Sequence, residues 1–137
     1  MPYRYLEHTA DAGLTATGGT LAELFASAAE GLAALLCDTA TVQPRESVEI
    51  TASAPDVETL IVAWLSEINY RFEVEHFAFR SFDVHEISHT KVVATGLGER
   101  IDPARHVIGA QVKAVTYHQL KVKRTPGGWS ARVIVDI

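Results

Sequence analysis

The feature that most limits the fold is where helical periodicity stops. Two stretches in the first half carry it, and no later segment does. Residues 21–36 place Leu21, Leu24, Phe25, Ala28, Leu32, Leu35 and Leu36 at i, i+3, i+4, i+7 spacing, which is one face of an α-helix. Thr20 suits the N-cap, and Glu23 three residues later completes a capping box. Ala26, Ala28, Ala29, Ala33 and Ala34 favour helix and add little bulk, so another element can approach it closely. Residues 57–73 repeat the pattern with Val57, Leu60, Ile61, Trp64, Leu65, Ile68 and Phe72, and Asp56 suits their N-cap. The remainder reads as extended chain. Strands are expected at 3–8, 13–17, 47–53, 77–85, 91–96, 111–116, 118–124 and 129–137. The apolar phase slips between Phe79 and Phe82, the mark of a bulge. Gly96-Leu97-Gly98 reads as a turn, and Thr125-Pro126-Gly127-Gly128 as a hairpin turn. The order ββαβα followed by a run of strands implies an α+β fold: two amphipathic helices packed on a mostly antiparallel sheet.

At 137 residues the chain has the size of a single domain, spanning 1–137. Its apolar fraction of 47% and charged fraction of 21% are those of a globular protein, not of a disordered chain. The single cysteine, Cys37, excludes an internal disulfide and a Cys-rich zinc module. Its place at the end of an apolar helix reads as a small core residue. No apolar run is long enough to span a bilayer and the N-terminus lacks a signal-type apolar segment, so a cytoplasmic protein is the expectation.

The net charge of −5 is unevenly spread. Residues 103–135 contain no acidic residue and six basic ones: Arg105, Lys113, Lys121, Lys123, Arg124 and Arg132. The plain reading is solvated strand faces. The sharper one is a basic surface on the C-terminal strands that meets an acidic partner or a phosphate.

Three places can carry chemistry. The segment His8-Thr9-Ala10-Asp11-Ala12-Gly13 holds an imidazole, a hydroxyl and a carboxylate in one loop. Equally, it reads as a turn in which Asp11 caps its own backbone and Gly13 supplies a positive φ. The chain end, Asp136-Ile137, stays apolar to its last residue, so Ile137 is expected to be buried or pinned in the sheet with its carboxylate beside Asp136. Should Asp11 meet that end, the carboxylates repel one another and a divalent cation resolves the conflict. All-oxygen ligands suit Ca²⁺, Mg²⁺ or Mn²⁺. The alternative is an exposed terminus with an ordinary Asp. Third, 113–118 as a strand sets Lys113, Val115 and Tyr117 on one face, where Lys113 meets a phosphate, a partner carboxylate or a cross-strand ion pair.

Other signals are thin. His85 and His89 lack further ligands at zinc spacing. Nucleotide-loop and esterase motifs are missing. Phe77, Phe79 and Phe82 lie on core-like strands without interleaved lysines, which disfavours base stacking.

Taken together these segments resemble the archease family over essentially the whole chain. The resemblance rests on His8-Thr9-Ala10-Asp11 after Tyr5-Leu6-Glu7, on Leu21-Ala22-Glu23-Leu24-Phe25, on Trp64-Leu65-Ser66-Glu67-Ile68, on 113–118 and on the terminal Asp136-Ile137. It implies a small cytoplasmic accessory protein, not itself an enzyme. Such a protein activates an RtcB-type RNA ligase in tRNA splicing and RNA repair, promoting the ligase's guanylylation with GTP and Mn²⁺ and its multiple turnover. It implies RNA contact only through the ligase. It further implies a divalent cation, Ca²⁺ in the first place and otherwise Mg²⁺ or Mn²⁺, on Asp11, Asp136 and a backbone or terminal oxygen of Ile137. Lys113 and His8 are the implied ligase-activation residues. Two rivals remain from the residues alone. One is a stand-alone metal-dependent phosphoesterase using the carboxylates and His8 to activate water. The other is a plain RNA-binding or chaperone-like module using its basic C-terminal face.

Overall fold

The computed structural model describes residues 2–7 and 11–137. Both helices form where their periodicity predicts them. Helix α1 spans Leu21–Leu36 and α2 spans Val57–Glu73. Their caps are the expected ones: Glu23 N–H donates to Thr20 Oγ1 (3.1 Å), and Thr59 N–H donates to Asp56 Oδ1 (2.8 Å). Each cap satisfies a backbone donor that the first helical turn leaves without a partner.

The strands are β1 (Tyr3–Glu7), β2 (Asp11–Gly18), β3 (Glu46–Ser53), β4 (Phe77–Ile87), β5 (Lys91–Arg100), β6 (Ala114–Val115), β7 (Lys121–Thr125) and β8 (Gly128–Asp136). They form two antiparallel sheets rather than one. The first runs β1-β2-β8-β6, with β7 also paired to β8; the second runs β3-β5-β4. Helix α1 touches β2 and β8 of the first sheet and β4 of the second, while α2 lies against β3, β4 and α1. A helix held between two sheets must be apolar on more than one side. Accordingly α1 buries Leu24, Phe25, Ala28, Ala29, Gly31, Leu32, Ala33 and Leu36. Its small residues allow the close approach: a Cβ on Gly31 would stand 2.6 Å from Leu14 Cδ1. The Tyr5 hydroxyl donates to the Gly31 carbonyl (2.8 Å), and burial pushes its pKa up to about 12.

Trp64 is the centre of the core. It is fully buried, its Nε1–H donates to the Phe25 carbonyl (3.0 Å), and it meets Phe25 and Phe82 at ring-centroid distances of 6.3 and 6.0 Å. A second anchor is polar. Glu99, 4% exposed, takes two hydrogen bonds from Arg105 (2.7 and 2.9 Å), one from Gln43 N–H (2.7 Å) and one from His106 Nε2 (3.0 Å). His106 Nδ1 accepts from Asp102 N–H, which leaves the ring proton on Nε2. The segment so held lies over the end of α1, where Gly109 and Ala110 N–H groups satisfy the carbonyls of Leu36 and Leu35.

Several strand expectations need correction. Gly96 and Gly98 are not a turn; both lie inside β5. They are glycines because β4 crowds them: a Cβ on Gly98 would stand 1.9 Å from the Ala78 carbonyl oxygen, and one on Gly96 2.4 Å from the Phe79 ring. Gly98→Ala is therefore expected to destabilise the protein by about 2–3 kcal/mol, measured by urea unfolding. Gly127→Ala, with nothing within 4 Å of the added carbon, serves as the neutral control. The bulge is present, with register shifts between Phe79 and Ser81 and again between Val84 and Glu86. The two-residue hairpin turn forms at Pro126-Gly127, with Thr125 paired to Gly128. The strands expected at 111–116 and 118–124 shrink to β6 and β7, because the 116–120 segment leaves the regular ladder between them while staying along the same edge of β8. There Thr116 donates twice to the Ile134 carbonyl, and Arg132 Nε donates to the Gln119 carbonyl. No described helix is long and apolar enough to cross a membrane.

Candidate functional site

Asp11 opens β2 and Asp136 closes β8, and the antiparallel ladder sets them directly opposite each other. Alternation decides which way they face. Leu14, Ala16, Ala131, Val133 and Val135 point into the core, so Asp11 and Asp136 share the outer face of the first sheet. Directly opposed side chains in such a pair have Cβ atoms about 4.5–5.5 Å apart, and like charges placed this way repel. Asp11 is half-buried and Asp136 exposed. On the other flank of β8, Ala114 is the register partner of Asp136, and Lys113 N–H donates to the Asp136 carbonyl (2.7 Å).

Asp11, Asp136 and the Lys113 backbone, distant in the chain, therefore meet at one end of the outer face. Asp11 belongs to a strand and not to a loop, because β2 begins at Asp11. Gly13 is likewise in β2 and does not have a positive φ. Ile137 follows Asp136 beyond the last ladder pair and is 42% exposed, so the expectation that it is buried is corrected: pairing ends at Asp136. Lys113 is exposed and outside β6, and among the described residues it makes no salt bridge. His8 lies outside the described residues.

No three His, Cys, Asp or Glu side chains converge on a metal position among the described residues. The Asp11–Asp136 pair offers two carboxylates, and a cation there needs further oxygens from main chain or terminus. The donor set is hard oxygen, which fits Ca²⁺, Mg²⁺ or Mn²⁺. His85 instead meets Thr95 Oγ1 (2.6 Å) and His89 lies edge-on to Trp129, so the two do not form a metal pair. Cys37 is buried, and burial raises its pKa, which makes it an inert thiol.

The basic C-terminal stretch does not form one surface. Arg105 is committed to Glu99, and Arg124 lies over the Trp129 ring at 5.0 Å. Lys121, Lys123 and Arg132 share the outer face with Arg4, a residue that sequence separation gave no reason to group with them.

Residues 3–137 match the model of the Archease protein family. Protein archease of Methanosarcina mazei is 42% identical, covering 98% of this chain and 95% of that protein. Its counterpart from Methanopyrus kandleri is 41% identical over the full length of both. The chain belongs to the archease family. A solution structure of Methanobacterium thermoautotrophicum protein 1598 superposes with a TM-score of 0.75 at 30% identity, covering 99% of each chain. A crystal structure described as an archease and possible chaperone from Thermotoga maritima gives a TM-score of 0.66 at 20% identity, over 96% and 94% of the two chains, and shares the fold. This archease thus has the α+β architecture of its relatives, with its acidic pair on the outer face of the larger sheet.

Proposed function

We propose that this archease is a cytoplasmic, non-enzymatic accessory protein that activates an RtcB-type RNA ligase in tRNA splicing and RNA repair. In this role it promotes ligase guanylylation and multiple turnover. The observation that supports the reading is the pairing of Asp11 with Asp136 at one end of the outer face of the first sheet. Opposed carboxylates repel each other, and a cation held between them relieves that repulsion. Asp11, Asp136 and an oxygen of Ile137 are the residues that would hold a divalent cation. Ca²⁺ is the first choice by family resemblance, with Mg²⁺ and Mn²⁺ suited to the same oxygens. Bound there, the ion supplies positive charge at the surface presented to the ligase. Lys113 is joined to this end of the sheet through its backbone, its N–H donating to the Asp136 carbonyl, and its side chain is exposed. The contribution is positioning and electrostatics, not covalent chemistry.

The test is guanylylation and multiple-turnover ligation by a purified RtcB-type ligase with GTP and Mn²⁺, with and without this protein. Wild-type protein is expected to accelerate both. Asp11→Asn and Asp136→Asn are each expected to lower the stimulation by at least about tenfold, the scale on which disturbed metal sites lose function. Folded variants that stimulate fully would remove the acidic pair from the mechanism. Turnover of generic phosphoesters with Mn²⁺ and no ligase would instead favour a stand-alone phosphoesterase. Appending residues after Ile137 is expected to weaken calorimetric cation binding; unchanged affinity would remove its terminal oxygen from the ligand set.

A further inference from the structure

The outer face of the first sheet is polarised. At one end stands the Asp11–Asp136 pair; four residues along β8 the character reverses. Arg4, Thr15, Arg132 and Lys121 are successive register partners across β1, β2, β8 and β7. One row further on, Ser130 is paired with Lys123. These residues border a depression of about 640 Å³ that no acidic residue lines. Arg132 and Lys121 are directly opposed, an arrangement that costs stability unless something anionic lies over it. Among the described residues, none of the four cations is in a salt bridge. Arg132 is oriented by its bond to the Gln119 carbonyl, so its guanidinium is held in place while its remaining donors stay available.

From this geometry we infer that the groove binds the phosphodiester backbone of a nucleic-acid strand directly. Cations about 5 Å apart across strands and about 7 Å apart along them, with hydroxyls between, are the groups that phosphate contacts use. An acidic protein surface fits less well, because protein interfaces centre on aromatic or large apolar anchors. Here the alternation sends those inward: Tyr3, Ala16 and Ala131, which also border the groove, turn their side chains into the core. Without a stacking platform, recognition is of backbone and not of base sequence. The groove is about 14 Å from the carboxylate pair by strand rise. A strand seated in it thus lies on the same face as the acidic site, yet the inference stands independently of any ligase.

The experiment uses the purified full-length protein alone, with fluorescent RNA and DNA strands of one mixed sequence, read by anisotropy. Binding is expected at Kd of roughly 10–100 µM in low salt, weakening along a log–log salt slope of about −2 to −3, for three to four phosphates at about −0.7 each. RNA and DNA are expected to bind within about threefold of each other, since the phosphates are shared. Lys121→Gln/Lys123→Gln is expected to weaken binding about tenfold and to flatten the slope by about 1.4, two contacts at about 0.7 each. Arg4→Gln weakens it in the same direction, and Lys91→Gln, on the other sheet, leaves it unchanged. All these side chains are exposed, and circular dichroism checks each fold. A slope near zero, unchanged affinity in the double variant, or polyglutamate binding as tightly as the RNA would overturn the assignment.

Discussion

Trp64→Ala is expected to lower the unfolding free energy by about 4–5 kcal/mol, the upper end of the range for deleting a buried aromatic. The side chain is fully buried and bridges three elements: α2 carries it, α1 supplies Phe25, and β4 supplies Phe82. Its removal opens a cavity at a point where a helix lies between two sheets, and neither sheet can move in without breaking contacts elsewhere. Trp64→Phe separates the two contributions. Most of the ring volume is kept, while the Nε1–H bond to the Phe25 carbonyl is lost. Because that carbonyl also faces the α1 helical ladder, the loss is a smaller one, about 1–2 kcal/mol. Urea unfolding followed by circular dichroism measures both, and Trp129 remains as a fluorescent probe of the first sheet in either variant. Equal losses for Phe and Ala would show that the hydrogen bond, not the packing, carries the site.

The second large effect is expected at Glu99. Glu99→Gln should lower the melting temperature by roughly 10 °C or more, since breaking a buried ion pair leaves its partners uncompensated. The carboxylate takes hydrogen bonds from Arg105, Gln43 and His106 together, and one amide oxygen cannot replace its two oxygens. The loss should be local first. The 101–110 segment that Glu99 anchors covers the C-terminal carbonyls of α1, so the amides of Gly109, Ala110 and Asp38 should exchange faster in the variant. The pH dependence has a definite sign. Hydrogen bonds from Arg105, then from the Gln43 N–H, hold the Glu99 carboxyl well below its ordinary value near 4.5. A group with a depressed folded pKa contributes fully above its unfolded pKa and loses that contribution as pH falls toward its folded one. Wild-type stability is therefore expected to decline below about pH 4.5, and the Gln variant to show a flatter acid limb. Superimposable acid limbs in melts across that range would remove Glu99 as the titrating anchor.

The residues that announced themselves were those whose partners are close in sequence. Thr20 with Glu23 and Asp56 with Thr59 cap helices that begin where expected, because a cap is decided within one turn. The slip between Phe79 and Phe82 revealed a bulge because side-chain alternation is itself local. Gly96 and Gly98 misled for a related reason. A glycine marks a tight backbone, but only the neighbouring strand shows whether the tightness is a turn or a crossing close to Ala78 and Phe79. The Glu99–Arg105–His106 cluster gave no sequence signal, since a carboxylate, an arginine and a histidine a few residues apart look like any solvated loop until burial singles them out.

For the candidate site the division runs along the same line. Hydrophobic periodicity and capping chemistry, read within about four residues, determined the helices, the hairpin at Pro126-Gly127 and the outward placing of alternate strand residues. Family resemblance named Asp11 and Asp136 as partners. Only the antiparallel register between β2 and β8 decided that they oppose each other, that Lys113 is held beside them, and that Arg4 joins three cations from the far end of the chain. Strand pairing between distant segments is a contest among many registers, settled by which one buries the apolar face of both strands at once. That is a property of the assembled core, and no short window of the chain contains it.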